Sequence, residues 1–570
     1  MARSRLLFEA GLVGVLGVAV FGSTVALVQN GRDYGFLDPV IDVKSTLTSQ
    51  YVESLTPEML RKMQDGAIRG MVEALDDPYT VYVPPSDVSS FDKDLTGEYV
   101  GIGASVQMID GVLIIISPLE DSPAFRIGLM ADDKVIEIEG QPTLGLSVDQ
   151  CIERLMGKED TVVKILVDRK GTKMPFEITR KKIKTKNVKG VRRTDADPNA
   201  WHYDIDPKNG IMYIRLAQFT PGVANDIAKA LDDCGVRKGN VKGLVLDVRW
   251  NPGGLLDEAV AIADLFLTEG TIVSTKSPRR AEAVAKAKAP GTLPDFPMAI
   301  LVNGSSASAS EVLAGALSEN NRAVVIGTRS YGKASVQSVR PIKVVDPDGT
   351  VKLAELKVTE QGYYLPSGRS ISRKGDAAEW GVDPSKGFWV EMTDAQLGDM
   401  IKVRRDAEII RTDAPAAAGS DKPSTPPADK PKWDDGDWVL DHLKDPQLTA
   451  AVKAVREKQA SGQWKPTGGE AVVMNKGAID EIQKLRAARD RLTRDLIRID
   501  RREESLAKAV GQDQPAVKDL WSDAVDVTGG KVQVFDKDGK LVTTLDITAN
   551  TLERWLIDAD VKKSVEEAAK

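Results

Sequence analysis

Apolar residues at Met59, Leu60, Met63, Ala67, Met71 and Leu75 recur three and four positions apart, the spacing of one helix face, and Thr56-Pro57 supplies a helix start. With DPVIDVKSTLTSQYV before it, this pattern predicts a helical segment over residues 36–96, interrupted at LDDPYTVYVPP. From Gly97 the period changes. GEYVGIGASVQM, GVLIIISPL, KVIEIEG, TVVKILVDR and KMPFEITR read as strands, with a short helix at Pro123–Leu129 and a longer one at SVDQCIERLMG, so a small β-rich domain is expected over 97–184. From Gly210 the strands become continuous apolar runs, GIMYIRL, KGLVLDV, FPMAILVN and AVVIG. They alternate with the helical patterns GVANDIAKALDDC, LLDEAVAIADLFL and ASEVLAGAL. Strands apolar on both faces call for helices packed on the sheet, which predicts an α/β core over 185–395.

Residues 412–432 form a linker, with five prolines and five alanines between Asp413 and Lys432. A mostly helical extension is expected over 433–570. In it DPQLTAAVKAV is a short helix, and Ile482, Leu485, Leu492, Leu496, Ile499 and Leu506 lie on a heptad-like stripe. That stripe fits either the seam of a homo-oligomer or a charged helix laid on its own chain. KVQVFDKDGKLVTTLDI predicts a β-hairpin around Asp538-Gly539.

The chain's 570 residues allow several domains, and its net charge of −7 offers no electrostatic footprint for nucleic acid. Near the N-terminus, Arg3 and Arg5 precede an uncharged run from Ala10 to Val28, just long enough to cross a bilayer. The arginines predict that the rest is exported. Residues 1–30 are expected to be a membrane anchor or a cleaved signal sequence. Thr24-Val25-Ala26 is a poor cleavage site, which favours the anchor. The expected location is the cell envelope, on the exported, periplasmic side of the inner membrane.

The chemistry is constrained by scarcity. Only two histidines occur, His202 and His442, in contexts that suit surface or structural roles, and there is no HExxH motif. Cys151 and Cys234 read as buried free thiols. No metal or other cofactor is expected. Attention falls on VNGSSASASEVLAGAL, which puts Ser305, Ser306, Ser308 and Ser310 between a buried strand and a helix. Such an elbow can present a side chain at the sheet's rim, beside the free N–H groups and positive dipole end of the helix. Taken alone, the stretch reads first as a helix cap by Ser305 or Ser306. Two further stretches shift the balance. LDVRWNPGGLL places Gly253 and Gly254 in a turn able to direct N–H groups at a developing oxyanion. RSYGKASVQ sets Lys333 between Gly332 and Ala334, an unusual neighbourhood for a solvated lysine. Desolvation there would favour the neutral amine, which can take a hydroxyl proton. If Lys333 to Gln337 are extended, Lys333, Ser335 and Gln337 share a face and Gln337 can hold the lysine.

Residues 97–184 resemble a PDZ domain of the bacterial type, with Tyr99, Val100, Gly101, Ile102 and Gly103 as the carboxylate-binding loop, DSPAFRIGLMADDKVIEIEG as the middle and the helix from Ser147 to Met156. With LDDPY, LDVRWNPGG, NGSSASASEVLAGAL, GTRSYGKASVQ and YYLPSGRSI in order, the chain resembles the C-terminal processing peptidases, also called tail-specific proteases, of the serine–lysine S41 type. The resemblance implies a crotonase- and ClpP-like αβ core, with Ser308 as nucleophile, Lys333 as base 25 residues later and Gln337 as its partner. Ala309, Gly253 and Gly254 would supply the oxyanion donors. It further implies an acyl-enzyme and protein substrates bound by exposed apolar C-termini. One stretch departs from the family: LMGKEDT carries Met156 where an arginine is usual and Asp160 where a glycine is. A PDZ-linked switch would then be absent or differently built. The competing readings are a catalytically silent PDZ scaffold on a protease fold and, from the NPGG turn alone, a crotonase-type acyl-CoA enzyme.

Overall fold

The computed structural model describes residues 34–410, apart from short stretches at 89–90, 93–95, 110, 195–196, 198–199 and 374–378, and residues 431–470. Beyond these it describes only 485, 489, 492 and the strand pair within 530–546. The expected anchor, most of the linker and the heptad stripe apart from Leu485 and Leu492, both exposed, lie outside the described residues. Among the described residues no helix is long and apolar enough to cross a membrane.

Near the start of the described residues lie two α-helices, α1 (Asp38–Gln50) and α2 (Pro57–Glu73). Thr56 caps α2 by accepting the Met59 N–H at 3.2 Å. The packed face is not the whole expected stripe. Ile68 and Val72 meet a small core around Tyr82, whereas Met71 and Leu75 are exposed. The LDDPYT turn then leads into β1 (Val81–Val83), whose partner lies more than 270 residues away.

The 97–184 region folds as expected. It comprises β2 (Glu98–Gly101), β3 (Ala104–Ile109), β4 (Val112–Pro118), α3 (Pro123–Arg126), β5 (Lys134–Ile138), α4 (Val148–Leu155), β6 (Val162–Arg169), β7 (Thr172–Thr179) and β8 (Lys181–Lys184). The main sheet runs β3-β4-β5-β6-β7, with β2 paired to β8 apart from it. Strand β3 is therefore an edge, and α4 lies along it. A full capping box, Ser147 with Gln150, starts α4.

The core holds two sheets. The first has four parallel strands in the order β9 (Ile211–Leu216), β10 (Gly243–Asp247), β13 (Met298–Val302), β14 (Val324–Gly327), with the short segments Val188–Lys189 and Asp204–Asp206 paired antiparallel to β9. Its side chains alternate between two hydrophobic clusters. Ile214, Leu246 and Ile300 face α5 (Val223–Asp233), α6 (Leu256–Asp264) and α7 (Ala309–Glu319). Ile211, Tyr213, Val245 and Leu301 face the back, which is covered by helices beyond the linker, α9 (Gly436–Leu443) and α10 (Pro446–Ser461). Leu448, Val452 and Val455 of α10 are buried there, each contributing about 1.5–3 kcal/mol of apolar burial. The expected core of 185–395 is thus closed on its far face by residues after 430.

The second sheet, absent from the sequence expectations, is antiparallel. It joins β1 to β16 (Val351–Tyr364), then β11 (Thr271–Ser277) and β12 (Arg280–Lys286), with β15 (Ser335–Val345) forming a hairpin with β16. Helix α8 (Asp394–Glu408) packs beside the β-rich domain, whose Ser117 hydroxyl accepts the Ile410 N–H at 3.2 Å. Glu120 of that domain pairs with Lys186 and Arg193 of the core. In the tail, β17 (Lys531–Phe535) and β18 (Leu541–Asp546) form the expected hairpin.

Candidate active site

The four serines of the elbow separate by partner. Ser306 is fully buried and its hydroxyl donates to the Val248 carbonyl at 2.8 Å. Ser310 donates to the Asn251 carbonyl at 2.9 Å. These two stitch the elbow to the segment leading into the Gly-Gly turn, and Ser305 is exposed. Ser308, not Ser305 or Ser306, occupies the N-cap of α7. It stands half-buried with φ 57° and ψ −116°, outside the regions that L-residues favour. A strained conformation of this kind costs about 1–3 kcal/mol and persists where surrounding structure enforces it.

The Gly-Gly turn lies against this serine. A Cβ on Gly253 would sit 2.8 Å from the Ser308 Cβ and 2.8 Å from the Ala307 oxygen, and a Cβ on Gly254 would sit 2.2 Å from the Phe219 oxygen. Both glycines have positive φ, 103° and 138°. Their N–H groups differ in use. Gly253 donates to the Asn251 side-chain oxygen at 2.9 Å, so of the expected donors it is already engaged. Gly254 and Ala309 donate to no acceptor among the described residues.

Lys333 sits in the loop between β14 and β15. Burial and the charge of nearby Lys357 push its amine down to about 8, against smaller opposing effects of Glu311 and Asp77. The ammonium lies over the Tyr79 ring, 4.8 Å from the centroid, and donates to no Ser308 atom among the described hydrogen bonds. Ser308 and Lys333 are nevertheless joined twice. Glu311 Oε2 accepts both backbone N–H groups, at 2.8 Å from Ser308 and 2.9 Å from Lys333. The Tyr363 hydroxyl donates to the Lys333 carbonyl and shares a side-chain hydrogen bond with Ser308.

Gln337 stands elsewhere. Its amide donates to Ser335 Oγ at 2.8 Å and to Thr359 Oγ1 at 3.3 Å. The alternation expected for Lys333 to Gln337 begins only at Ser335, where β15 starts. Lys333 precedes it in a loop turned toward Glu311, so lysine and glutamine do not share a strand face. Neither histidine lines the site. His442 stacks on Trp438 at 4.8 Å and His202 pairs with Arg192 across a short ladder. Both cysteines are free.

Lys333 opens onto a cleft of about 810 Å³ walled by Tyr79, Lys276, Tyr331, Tyr364 and Arg373. Glu311, Tyr363 and Tyr79 are the site residues that sequence reasoning left without a role. Their signals lay in stretches already singled out: SASE, with Glu311 three residues after Ser308, YYLPSGRSI and LDDPY.

In the β-rich domain, Ile102 and Gly103 join β2 to β3, and their N–H groups meet no acceptor among the described residues. Gly103 has φ 74°, and a Cβ there would sit 2.3 Å from the Ser122 Cβ. Gly101 ends β2 beside the ring of Tyr99 and the side chain of Met156. Behind Met156, the buried Arg180 guanidinium donates to the carbonyls of Arg154, Leu155 and Val162, closing the C-terminal end of α4.

An elbow serine, a partly buried lysine and a β-rich domain with an open strand edge point to a PDZ-bearing peptidase fold, and comparison with known proteins agrees. The model of peptidase family S41 matches residues 210–385, that of the PDZ domain 89–168, and that of the N-terminal domain of the activating protease CtpB 29–85. The carboxy-terminal-processing protease of Bartonella bacilliformis is 31% identical over 418 residues, covering 72% of this chain and 90% of that protein. A probable CtpA-like serine protease of Staphylococcus aureus is 34% identical over 394 residues, 67% of this chain and 73% of that one. The solved photosystem II D1 C-terminal processing protease is 25% identical, covering 62% of this chain and 86% of that one with a TM-score of 0.35. The chain belongs to peptidase family S41, the carboxy-terminal-processing serine proteases.

Proposed function

We propose that this chain hydrolyses peptide bonds of proteins presented by their C-terminal tails, with Ser308 as nucleophile and Lys333 as its base. The observation that carries the reading is the amine of Lys333, lowered to about 8 by burial on a loop that Glu311 and Tyr363 tie to Ser308. A side-chain rotation from the Tyr79 ring toward the elbow brings the neutral amine to the hydroxyl. The amine takes the Ser308 proton as the oxygen attacks the scissile carbonyl. The tetrahedral oxyanion is met by the N–H groups of Gly254 and Ala309, and the lysine returns its proton to the leaving amine, giving an acyl-enzyme. Water, deprotonated by the same amine, then releases the product.

Gly253 serves by its lack of a side chain. Gly253→Ala is expected to lower kcat about 100-fold, because the added methyl displaces either the Ser308 Cβ or the turn carrying the Gly254 donor. Steady-state kinetics on a peptide substrate check it.

The free N–H groups of Ile102 and Gly103 suit a terminal carboxylate, and the open edge of β3 suits an added peptide strand. Tyr99, Val100 and Gly101 shape that loop from β2. With residues 1–30 as anchor or signal, the substrates would be envelope proteins with exposed apolar C-termini. The test joins both halves. A fluorophosphonate should label the wild type and not Ser308→Ala, and cleavage should fall when a substrate's apolar C-terminal residue is exchanged for a charged one. Absence of labelling with and without added tail peptide would favour a silent PDZ scaffold.

A further inference from the structure

Glu311 is fully buried, and no cation pairs with it among the described residues. Four hydrogens converge on its carboxylate. Oε1 accepts the Ser330 hydroxyl at 2.6 Å and the Gly332 N–H at 2.6 Å, and Oε2 accepts the N–H groups of Lys333 at 2.9 Å and Ser308 at 2.8 Å. A Glu three residues after an N-cap serine is the ordinary signature of a helix cap, and the Ser308 bond alone would satisfy it. The other three donors come from a loop 19 to 22 positions further along the chain. That loop is bent for the purpose. Gly332 takes φ 93°, and a Cβ there would sit 2.7 Å from the Trp380 ring. The bend turns two successive N–H groups toward one oxyanion.

A buried carboxylate is a costly way to cap a helix, and burial pushes Glu311 up to about 7 in spite of its donors. The arrangement does something a cap does not. It fastens the Ser308 backbone and the Lys333 backbone to the same carboxylate oxygen, Oε2. We propose that Glu311 is the positioning residue of the site: its carboxylate sets the separation of Ser308 and Lys333, and its charge acts on the amine of Lys333. The inference rests on the Ser308–Lys333 reading above. The groups facing the Lys333 amine are Lys357 on β16, Asp77 and Tyr79 on the N-terminal turn, and Glu311 on α7.

The test compares Glu311→Gln and Glu311→Asp in the full chain, with kcat and KM measured on a tail-bearing peptide from pH 6 to 10 beside each thermal midpoint. Glu311→Gln keeps the volume, loses the charge and turns an amide toward N–H donors. It is expected to lower kcat about 100-fold with KM changed less than about threefold, because displaced reacting groups lose rate rather than binding. The carboxylate's charge stabilises the ammonium, so its removal should also move the acid limb of kcat/KM about half to one unit lower. Glu311→Asp keeps the charge at shorter reach and should lose kcat while holding the wild-type midpoint. A pure cap predicts a lowered thermal midpoint with the acid limb of the pH profile unmoved in both variants, and that result, or a Glu311→Gln kcat within threefold of wild type, overturns the inference. Should both variants fail to fold, Ser330→Ala removes one donor and leaves the carboxylate. A severalfold fall in kcat at unchanged KM supports the inference, and wild-type kcat overturns it. Failure of the underlying reading is seen separately, as turnover surviving in Lys333→Ala.

Discussion

Lys333→Ala is expected to lower kcat by about 10⁴-fold on any peptide substrate, with the fold retained. The side chain projects from a loop into the cleft and fills no core position, so its loss opens no packed cavity. Circular dichroism and the thermal midpoint should therefore match wild type. The same lysine sets the pH dependence. An amine at about 8 is mostly charged at neutral pH, with about one tenth in the neutral form at pH 7. With the neutral form as the proposed base, kcat/KM should rise about fivefold from pH 7 to pH 8 and about twofold more before levelling near pH 9. A profile that falls between pH 7 and 9, or a Lys333→Ala variant that cleaves at the wild-type rate, would remove the lysine from the reaction.

Arg249→Met is expected to destabilise the core by about 3–5 kcal/mol. The Arg249 side chain is wholly buried and donates to Asp247 from Nε at 2.9 Å and from Nη2 at 2.6 Å. It also reaches the two Asp445 oxygens at 2.9 and 2.6 Å and the Gln447 oxygen at 2.9 Å. Asp445 in turn caps α10 through the Leu448 N–H at 3.0 Å. One guanidinium thus fastens the helix beyond the linker to the end of β10, shortly before the Gly253-Gly254 turn. Methionine fills part of the volume and leaves two buried carboxylates with Arg404, at 3.4 and 3.5 Å, as their paired cation. Burial by itself would raise Asp247, but the charge and hydrogen bonds of Arg249 outweigh it and hold the carboxyl well below its usual range. A depressed folded-state value means this stabilisation is complete above the ordinary carboxylate range and is lost progressively as pH falls from there through the lower folded-state value. Denaturant titrations at pH 7 and at pH 3 should therefore separate wild type from variant at both, and less widely at the second. Equal stability at pH 7 would refute the assignment.

Much of the site was legible because its parts are local. A buried strand ending in a serine run before a helix can only make an elbow, and the pair of glycines after VRWN can only make a tight turn close to another backbone. A lysine flanked by Gly332 and Ala334 has little around it to hold it in solvent. Which serine is presented was not legible from spacing: Ser306 and Ser310 are spoken for by the Val248 and Asn251 carbonyls, contacts made across 58 and 59 positions. The engagement of the Gly253 N–H by Asn251 was hidden for a related reason. An asparagine two residues before a glycine is a turn signal whatever its side chain accepts. Gln337 was placed by strand alternation, and the strand starts two residues too late for the lysine to share it.

The sequence by itself determined the order of the elements, the two-faced burial of the parallel strands, the β-rich domain and the three stretches that meet at the site, because each is written in a period or a turn within some fifteen residues. Only the tertiary structure decided that β1 joins β16, that α10 closes the back of the sheet across the linker, and that Glu311 gathers donors from two loops. Those pairings join segments with no local pattern in common. They are selected by the need to cover an apolar face, complete a strand edge or satisfy a buried charge, and those demands exist only once the chain has folded.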